Sequence, residues 1–401
     1  MKNLIRKVDF IFSIVCAVIF TFIIAGCVNQ PEEFVFYDGV EKIRYLDVYS
    51  VEKTDNAVRV SLSSSAKEAE AEMNFLGIIP VSQVNAVVSD RKYVVVGGDL
   101  IGIKIYTEGL LVVGTEDVIT KNGNVNPAEN CGIRTGDIIT HVNDEIVTSV
   151  NSFSEIMSCN EGGNIGLTVK RDDDIYYYSL RPAFCETENR YRCGLWLKDS
   201  TAGIGTMTFT DPETGMFASL GHSICDSETK TELSVGEGDI FTAAVKGCDK
   251  GQKGETGQIK GTFMSDDIGD IIDNNEFGLY GTCSPVSSDE YIYPLASQGE
   301  VKTGAAKIIS TVSGDTKQFY DIEIEKINNS NSHESRSLVI KITDPELLSL
   351  TGGIVQGMSG SPIIQDGKLV GAVTHVFLND PTKGYGIFAQ TMYETMTELN
   401  K

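Results

Sequence analysis

The chain has 401 residues, 41% of them hydrophobic and 22% charged, with a formal net charge of −23. That length suits two or three domains of ordinary globular composition. So negative a chain argues against nucleic acid, whose phosphates need Lys and Arg partners, and forty glycines against ten prolines suit many turns and strands.

Lys2, Arg6 and Lys7 precede the uncharged run "FIFSIVCAVIFTFIIA", residues 10–25. A basic flank before an apolar core reads as a secretory signal or a single-pass anchor. As a helix this run rises about 24 Å, short of the roughly 30 Å of bilayer hydrocarbon. The basic flank puts residues 28–401 outside the cytoplasm. "IAGC", residues 24–27, resembles a bacterial lipobox, in which Cys27 would carry lipid after cleavage. A chance cysteine at the end of an anchor is the competing reading. Residues 1–27 are thus the targeting segment.

Residues 28–94 form a tether and lead-in. "SSAKEAEAEMNF" is helix-prone, and "VNAVVSDRKYVVVGG" alternates like strands. Residues 95–182 have a distinct order: a Gly-bounded loop, two strands, a short helix, a Gly136-Asp137 turn, a hairpin, a second helix and two closing strands. In the second helix Val150, Phe153, Ile156 and Met157 share one face. With Ala128, Gly132, Ile133, Gly136, Asp137, Ile138 and Ile139 in sequence, this block resembles a bacterial PDZ domain. That resemblance implies that Leu100, Ile101, Gly102 and Ile103 form the loop receiving a peptide C-terminus. Phe153 and Ile156 would line the groove, and the peptide would add a strand to the sheet. The competing reading of the helix is a core element of a small β domain.

Residues 190–401 are all-β in pattern, with short apolar strands between Gly, Asp and Asn turns, as in a sandwich or barrel. "CDKGQKGETGQIKG", 248–261, is too polar and glycine-rich to pack and reads as a surface loop. Nine cysteines occur without any CxxC, so they read as free thiols rather than a disulfide or zinc framework.

"GMSGSP", residues 357–362, carries the candidate chemistry. Gly357 and Gly360 permit a tight turn in which the N–H groups of Gly357 and Ser359 converge, as an oxyanion hole requires. Ser361 precedes Pro362, which favours extended backbone leading into a strand. A serine hydroxyl needs a base, usually His, and the His an acid behind it. Four histidines are available: His141, His222, His333 and His375. His141 lies inside the PDZ-like block and His333 in a polar loop. His222, at a strand end after Gly221, ranks above His375, which follows Ser359 on a later strand. Asp344 ends an apolar strand and could face a His. It could equally cap the helix that "DPELL" begins. These residues leave the two roles open.

With these stretches in place the chain resembles the SpoIVB peptidase family. "GIGTMTFTDPETGMFASLGH" and "TDPELLSLTGGIVQGMSGSPIIQDGKLVGAVTHVFLNDPTKGYGIF" carry the likeness. The resemblance implies a mainly β chain, a PDZ domain (α+β) followed by a trypsin-like double β-barrel over 190–401. It implies His222 as general base, Asp344 as orienting acid, Ser359 as nucleophile, and no cofactor or metal. It further implies a sporulation signal: an enzyme exported from the forespore into the intermembrane space, cleaving itself and a membrane-bound regulator of sigma-K processing. The alternative is an inert PDZ adaptor whose barrel only binds. An esterase of the α/β class would need long helices between strands, and the C-terminal half lacks them.

Overall fold

The computed structural model describes residues 34–37, 40–45, 48–54, 59–60, 67–171, 174–284, 291–328 and 335–400, with scattered helical residues between 13 and 24. Cys27 and His333 lie outside them. Among the described residues no helix is long and apolar enough to cross a membrane.

The N-terminal unit is a β-sheet built from β1 (Phe34–Tyr37), β2 (Lys42–Tyr45), β3 (Tyr49–Lys53), β4 (Arg59–Val60), β5 (Lys67–Phe75) and β6 (Ile79–Ser89). β5 covers most of the run expected to be helical. Its alternation puts Ala71, Met73 and Phe75 in the core and Glu70 and Glu72 opposite them, and this period of two outweighs helix propensity. Arg91 ties the unit to the segment around Glu300. Its guanidinium donates to Glu300 at 3.0 Å from both terminal nitrogens and lies 5.0 Å from the Tyr37 ring centroid.

Beyond it the chain builds two barrels. β7 (Tyr93–Val96) leads into β8 (Leu100–Thr115). The first barrel closes through β8, β17 (Leu195–Thr210), β18 (Met216–Ser219), β21 (Gly278–Cys283), β20 (Gln258–Asn275) and β19 (Val235–Asp249), which pairs back to β8. β22 (Ile292–Pro294) pairs with β7 at its edge. The second barrel closes in the order β23 (Gly304–Ser310), β24 (Gln318–Ile327), β25 (Leu338–Ile342), β28 (Asp380–Phe388), β27 (Lys368–Phe377) and β26 (Pro362–Gln365). In β24 the alternation is nearly perfect: Tyr320, Ile322 and Ile324 face the core while Asp321, Glu323 and Glu325 face out. The mainly β double barrel expected from the sequence is thus present.

The PDZ-like unit is inserted between β8 and β17. It comprises the hairpins β9 (Val118–Thr120)–β10 (Gly123–Val125) and β15 (Ala183–Cys185)–β16 (Arg190–Arg192). Between them lie helix α1 (Pro127–Cys131), β11 (Ile138–Val142), β12 (Glu145–Ile146), α2 (Val150–Cys159), β13 (Ile165–Arg171) and β14 (Asp174–Leu180). Its core gathers Leu110, Val112, Ile139, Val142, Phe153, Ile165 and Leu167. The boundaries at 95 and 190 do not separate the units cleanly, because β8 and β17 each start in one and end in the other.

Two expectations for the groove are corrected by the fold. Leu100, Ile101 and Ile103 are at most 3% exposed inside the first barrel. Leu100–Ile103 pair with Gly203–Thr206 of β17, and Ile101–Ile103 also with Ile240–Thr242 of β19. Their backbone groups are committed to that ladder, so this stretch is no carboxylate-receiving loop. Ile156 is half-buried and packs against the core of the inserted unit, and it is not among the residues lining the cleft beside α2.

The Gly136-Asp137 turn has a structural purpose. Asp137, 1% exposed, accepts from the Arg134 N–H at 2.8 Å and from Arg171 Nε and Nη2 at 2.6 and 2.8 Å. Asp137→Ala strands the Arg171 guanidinium. A loss of about 2–4 kcal/mol is expected, just under the fully buried range because Arg171 partly reaches water. Hydrogen exchange of β11 and β13 should then speed up by roughly 30- to 1,000-fold, and unchanged exchange would contradict this role.

Candidate active site

Ser359 sits in a turn that only these residues can make. Gly357 and Gly360 have φ of +99° and +92°, and a Cβ on Gly360 would lie 2.1 Å from the Thr206 carbonyl oxygen. The N–H groups of Met358, Gly360 and Ser361 donate to Val355, Val373 and Met358 carbonyls at 2.8–3.1 Å. Those of Gly357 and Ser359 take no part in these bonds. The first barrel clamps the turn: Thr206 N–H donates to the Ser359 carbonyl at 3.0 Å, the Thr206 hydroxyl to the Gly357 carbonyl at 2.7 Å, and the Thr208 hydroxyl to the Gly360 carbonyl at 2.8 Å. Ser361 is fully buried and donates to Ser310 Oγ at 3.0 Å, so it braces the second barrel. Of the stretch 248–261, expected as a surface loop, residues 252–255 are exposed, while its C-terminal part packs here: Gln356 N–H donates to the Gly257 carbonyl and Ile259 N–H to the Gln356 carbonyl.

His222 follows β18 on a left-handed pair, Leu220 (φ +66°) and Gly221 (φ +71°). Backbone strain at a branched residue such as Leu220 costs about 1–3 kcal/mol and persists only where packing enforces it. The His222 ring joins Ser359, Gly357, Thr374 and His375 around a cleft of about 540 Å³ between the barrels. Its Nδ1 lies 2.8 Å from the Ser223 carbonyl. A carbonyl can only accept, so Nδ1 carries the proton and Nε2 the lone pair. Burial holds the His222 pKa below the ordinary histidine value, and the bond to Ser223 offsets this only in part. The ring is therefore a neutral base at neutral pH. The Ser359 hydroxyl donates to the Thr374 carbonyl at 2.8 Å.

Asp344 is not brought into this group. It is the N-cap of α3 (Pro345–Thr351): Oδ1 accepts from the N–H groups of Glu346 and Leu347 at 2.9 and 3.0 Å, and Oδ2 from that of Asp321 at 3.2 Å. Burial pushes its carboxyl up, but those backbone bonds outweigh it and hold the pKa low. Of the two roles the sequence left open, the structure gives the cap, and no Asp or Glu lines the cleft among the described residues. His141 pairs locally with Thr140 inside the inserted unit.

A second cleft, of about 710 Å³, runs between α2 and residues 190–197. Phe153 lines it, with Val150, Met157, Cys193, Leu195 and Leu197. Gly194 has φ +70°, and a Cβ there would come 2.4 Å from the Glu116 carbonyl oxygen. The groove strand is thus the start of β17, which the sequence pattern places in the other domain. "RCGL" at 192–195 was the available signal.

The clamp on the turn can be tested by filling its contact. Gly360→Ala places a methyl against Thr206 and Leu220 at positive φ, costing about 1–3 kcal/mol. The calorimetric midpoint of the barrels should fall by about 2–12 °C. An unchanged midpoint would show that the barrels tolerate separation there.

The family model described as SpoIVB peptidase S55 matches residues 189–393, and a PDZ domain model matches residues 126–171. No curated protein matches the chain. Among solved structures, a PDZ domain of an SdrC-like protein from Listeria monocytogenes is 19% identical over 22% of this chain and 87% of that one, with a TM-score of 0.19. The active form of the Rv3671c protease from M. tuberculosis is 12% identical over 50% of this chain and 74% of its own, with a TM-score of 0.31. The HtrA-type protease AlgW with decapeptide is 11% identical over 51% and 54%, with a TM-score of 0.31. Scores this low carry no weight, and the double barrel rests on its own strand pairings. The matched region spans just over half of the chain and holds both barrels' site residues, and the chain belongs to the SpoIVB peptidase S55 family of serine peptidases, with a PDZ domain built into its fold.

Proposed function

We propose that the chain is a sporulation-signalling serine endopeptidase. It is exported from the forespore, held at the membrane by its N-terminal segment, and acts in the space between the two membranes. Its substrates are itself and a membrane-bound regulator of sigma-K processing. The α2–β17 groove, rather than residues 100–103, takes the peptide C-terminus that positions the substrate, by strand addition to β17. The observation that carries this reading is the Ser359 turn, which among the described residues leaves the Gly357 and Ser359 N–H groups without a backbone partner, beside a neutral, desolvated histidine.

The chemistry follows from that arrangement. Ser359 rotates from the Thr374 carbonyl toward His222, and Nε2 takes its proton as Oγ bonds to the scissile carbonyl carbon. The oxyanion settles on the N–H groups of Gly357 and Ser359. His222 then returns the proton to the leaving amine as the C–N bond breaks, and water repeats the sequence on the acyl group. The hydroxyl's bond to Thr374 favours a second reading, an inert adaptor whose serine never leaves that carbonyl.

Labelling by a fluorophosphonate probe separates the two. The unaltered protein should be labelled and should digest casein. Ser359→Ala should lose both with an unchanged circular dichroism spectrum, and Ser361→Ala should keep both. No labelling of the unaltered protein, or equal labelling of Ser359→Ala, would leave only the adaptor.

A further inference from the structure

Among the described residues His222 has no carboxylate behind it, yet it is not alone. The His375 ring lies 4.8 Å from it, centroid to centroid, tilted by 40°. The fold places it there by a specific irregularity. The β27–β28 ladder loses register between Val373 and Val376, so Thr374 and His375 form a bulge. Bulges beside sites re-aim a side chain and release backbone groups. Here the bulge presents the Thr374 carbonyl to Ser359 and the His375 ring to His222. His375 Nδ1 is buried and has no hydrogen-bond partner among the described residues. A buried unpaired nitrogen costs about 1–3 kcal/mol and calls for an explanation.

Building on Ser359 as the nucleophile, we propose that His375 completes the group with Ser359 and His222. It is a positioning residue that holds the His222 imidazole and shares the charge His222 gains. Its role is the one an acid fills in other serine peptidases, but without the bond to Nδ1 of the base, which here goes to Ser223. In its Nε2–H tautomer His375 offers the Nδ1 lone pair. When the Ser359 proton moves to His222 Nε2, the new imidazolium donates to the Ser223 carbonyl and meets that lone pair. The proton later leaves with the amine, and His375 ends as it began.

This requires an uncharged His375, since a second cation would oppose the imidazolium. Among the described residues the titratable or charged groups around the pair are Cys225 from the loop after β18 and Arg336 from the turn before β25. Burial first, then His222 and Arg336, lower His375 to about 4. It therefore stays neutral across the range in which His222 works as a base.

The test is the rate of fluorophosphonate labelling from pH 4.5 to 8.5, with folding checked by circular dichroism. His375→Phe keeps a ring in the same space and should slow labelling by about 10²–10³-fold. His375→Asp should recover much of that rate. It should also move the acidic limb to higher pH, because a carboxylate favours the imidazolium. Asp344→Asn, which still caps α3, should label like the unaltered protein. Normal labelling and an unmoved limb in His375→Phe would overturn the proposal alone. So would equal slowing by Phe and Asp with no shift of the limb, or a fall of about 10⁴-fold in folded Asp344→Asn. Absence of labelling in the unaltered protein would overturn the nucleophile assignment and this proposal together.

Discussion

The site depends on three hydrogen bonds between β17 of the first barrel and the Ser359 turn of the second. Neither barrel holds the chemistry by itself. The first supplies His222 on the strained turn after β18, and the second supplies Ser359, Thr374 and His375. Each bond contributes only about 0.5–1.5 kcal/mol net, but a buried partner left unpaired costs about 1–3 kcal/mol, so separation of the barrels is opposed by more than the bonds add. The absence of a side chain at Gly360 is what lets the backbones meet. The same contact holds the turn in which, among the described residues, the Met358, Gly360 and Ser361 N–H groups are bonded to carbonyls and those of Gly357 and Ser359 are not.

β17 does a second job. Its first residues line the groove against α2, its middle residues Gly203 and Ile204 line the cleft beside Ser359 and His222, and Thr206 and Thr208 hold the serine turn. β8 runs beside it through both units. A peptide paired to the start of β17 would therefore sit on the same strand that positions Ser359. The PDZ unit is thus an insertion between two barrel strands rather than a bead on a linker.

Much of this was legible in the sequence, for physical reasons. Alternation of period two marked β24 and β25, and the glycines of "GMSGSP" marked a turn that other residues cannot make. The His222 strand end and the place of Ser361 leading into a strand followed from Gly221 and Pro362. What was missed depends on partners far away in the chain. "LIGI" has the look of a carboxylate loop, but the ladders with β17 and β19 claim its backbone. "SSAKEAEAEMNF" has helix propensity, yet neighbours β3 and β6 draw its Ala and Met into a sheet core. Asp344 offered two roles for one pair of oxygens, and the proline after it and three nearby N–H groups decided for the cap. The bulge at Thr374–His375 left no local mark, because the register slip is set by β28.

The central claim is that Ser359, the two N–H groups of its turn and His222 form one reacting centre. A crystal structure of the phosphonate-treated protein tests it most directly. The account requires phosphorus bonded to Ser359 Oγ, a phosphoryl oxygen within hydrogen-bond reach of the Gly357 and Ser359 N–H groups, and His222 beside the adduct with Asp344 still capping α3. An adduct on another residue, or a phosphoryl oxygen turned away from those two N–H groups, would contradict it.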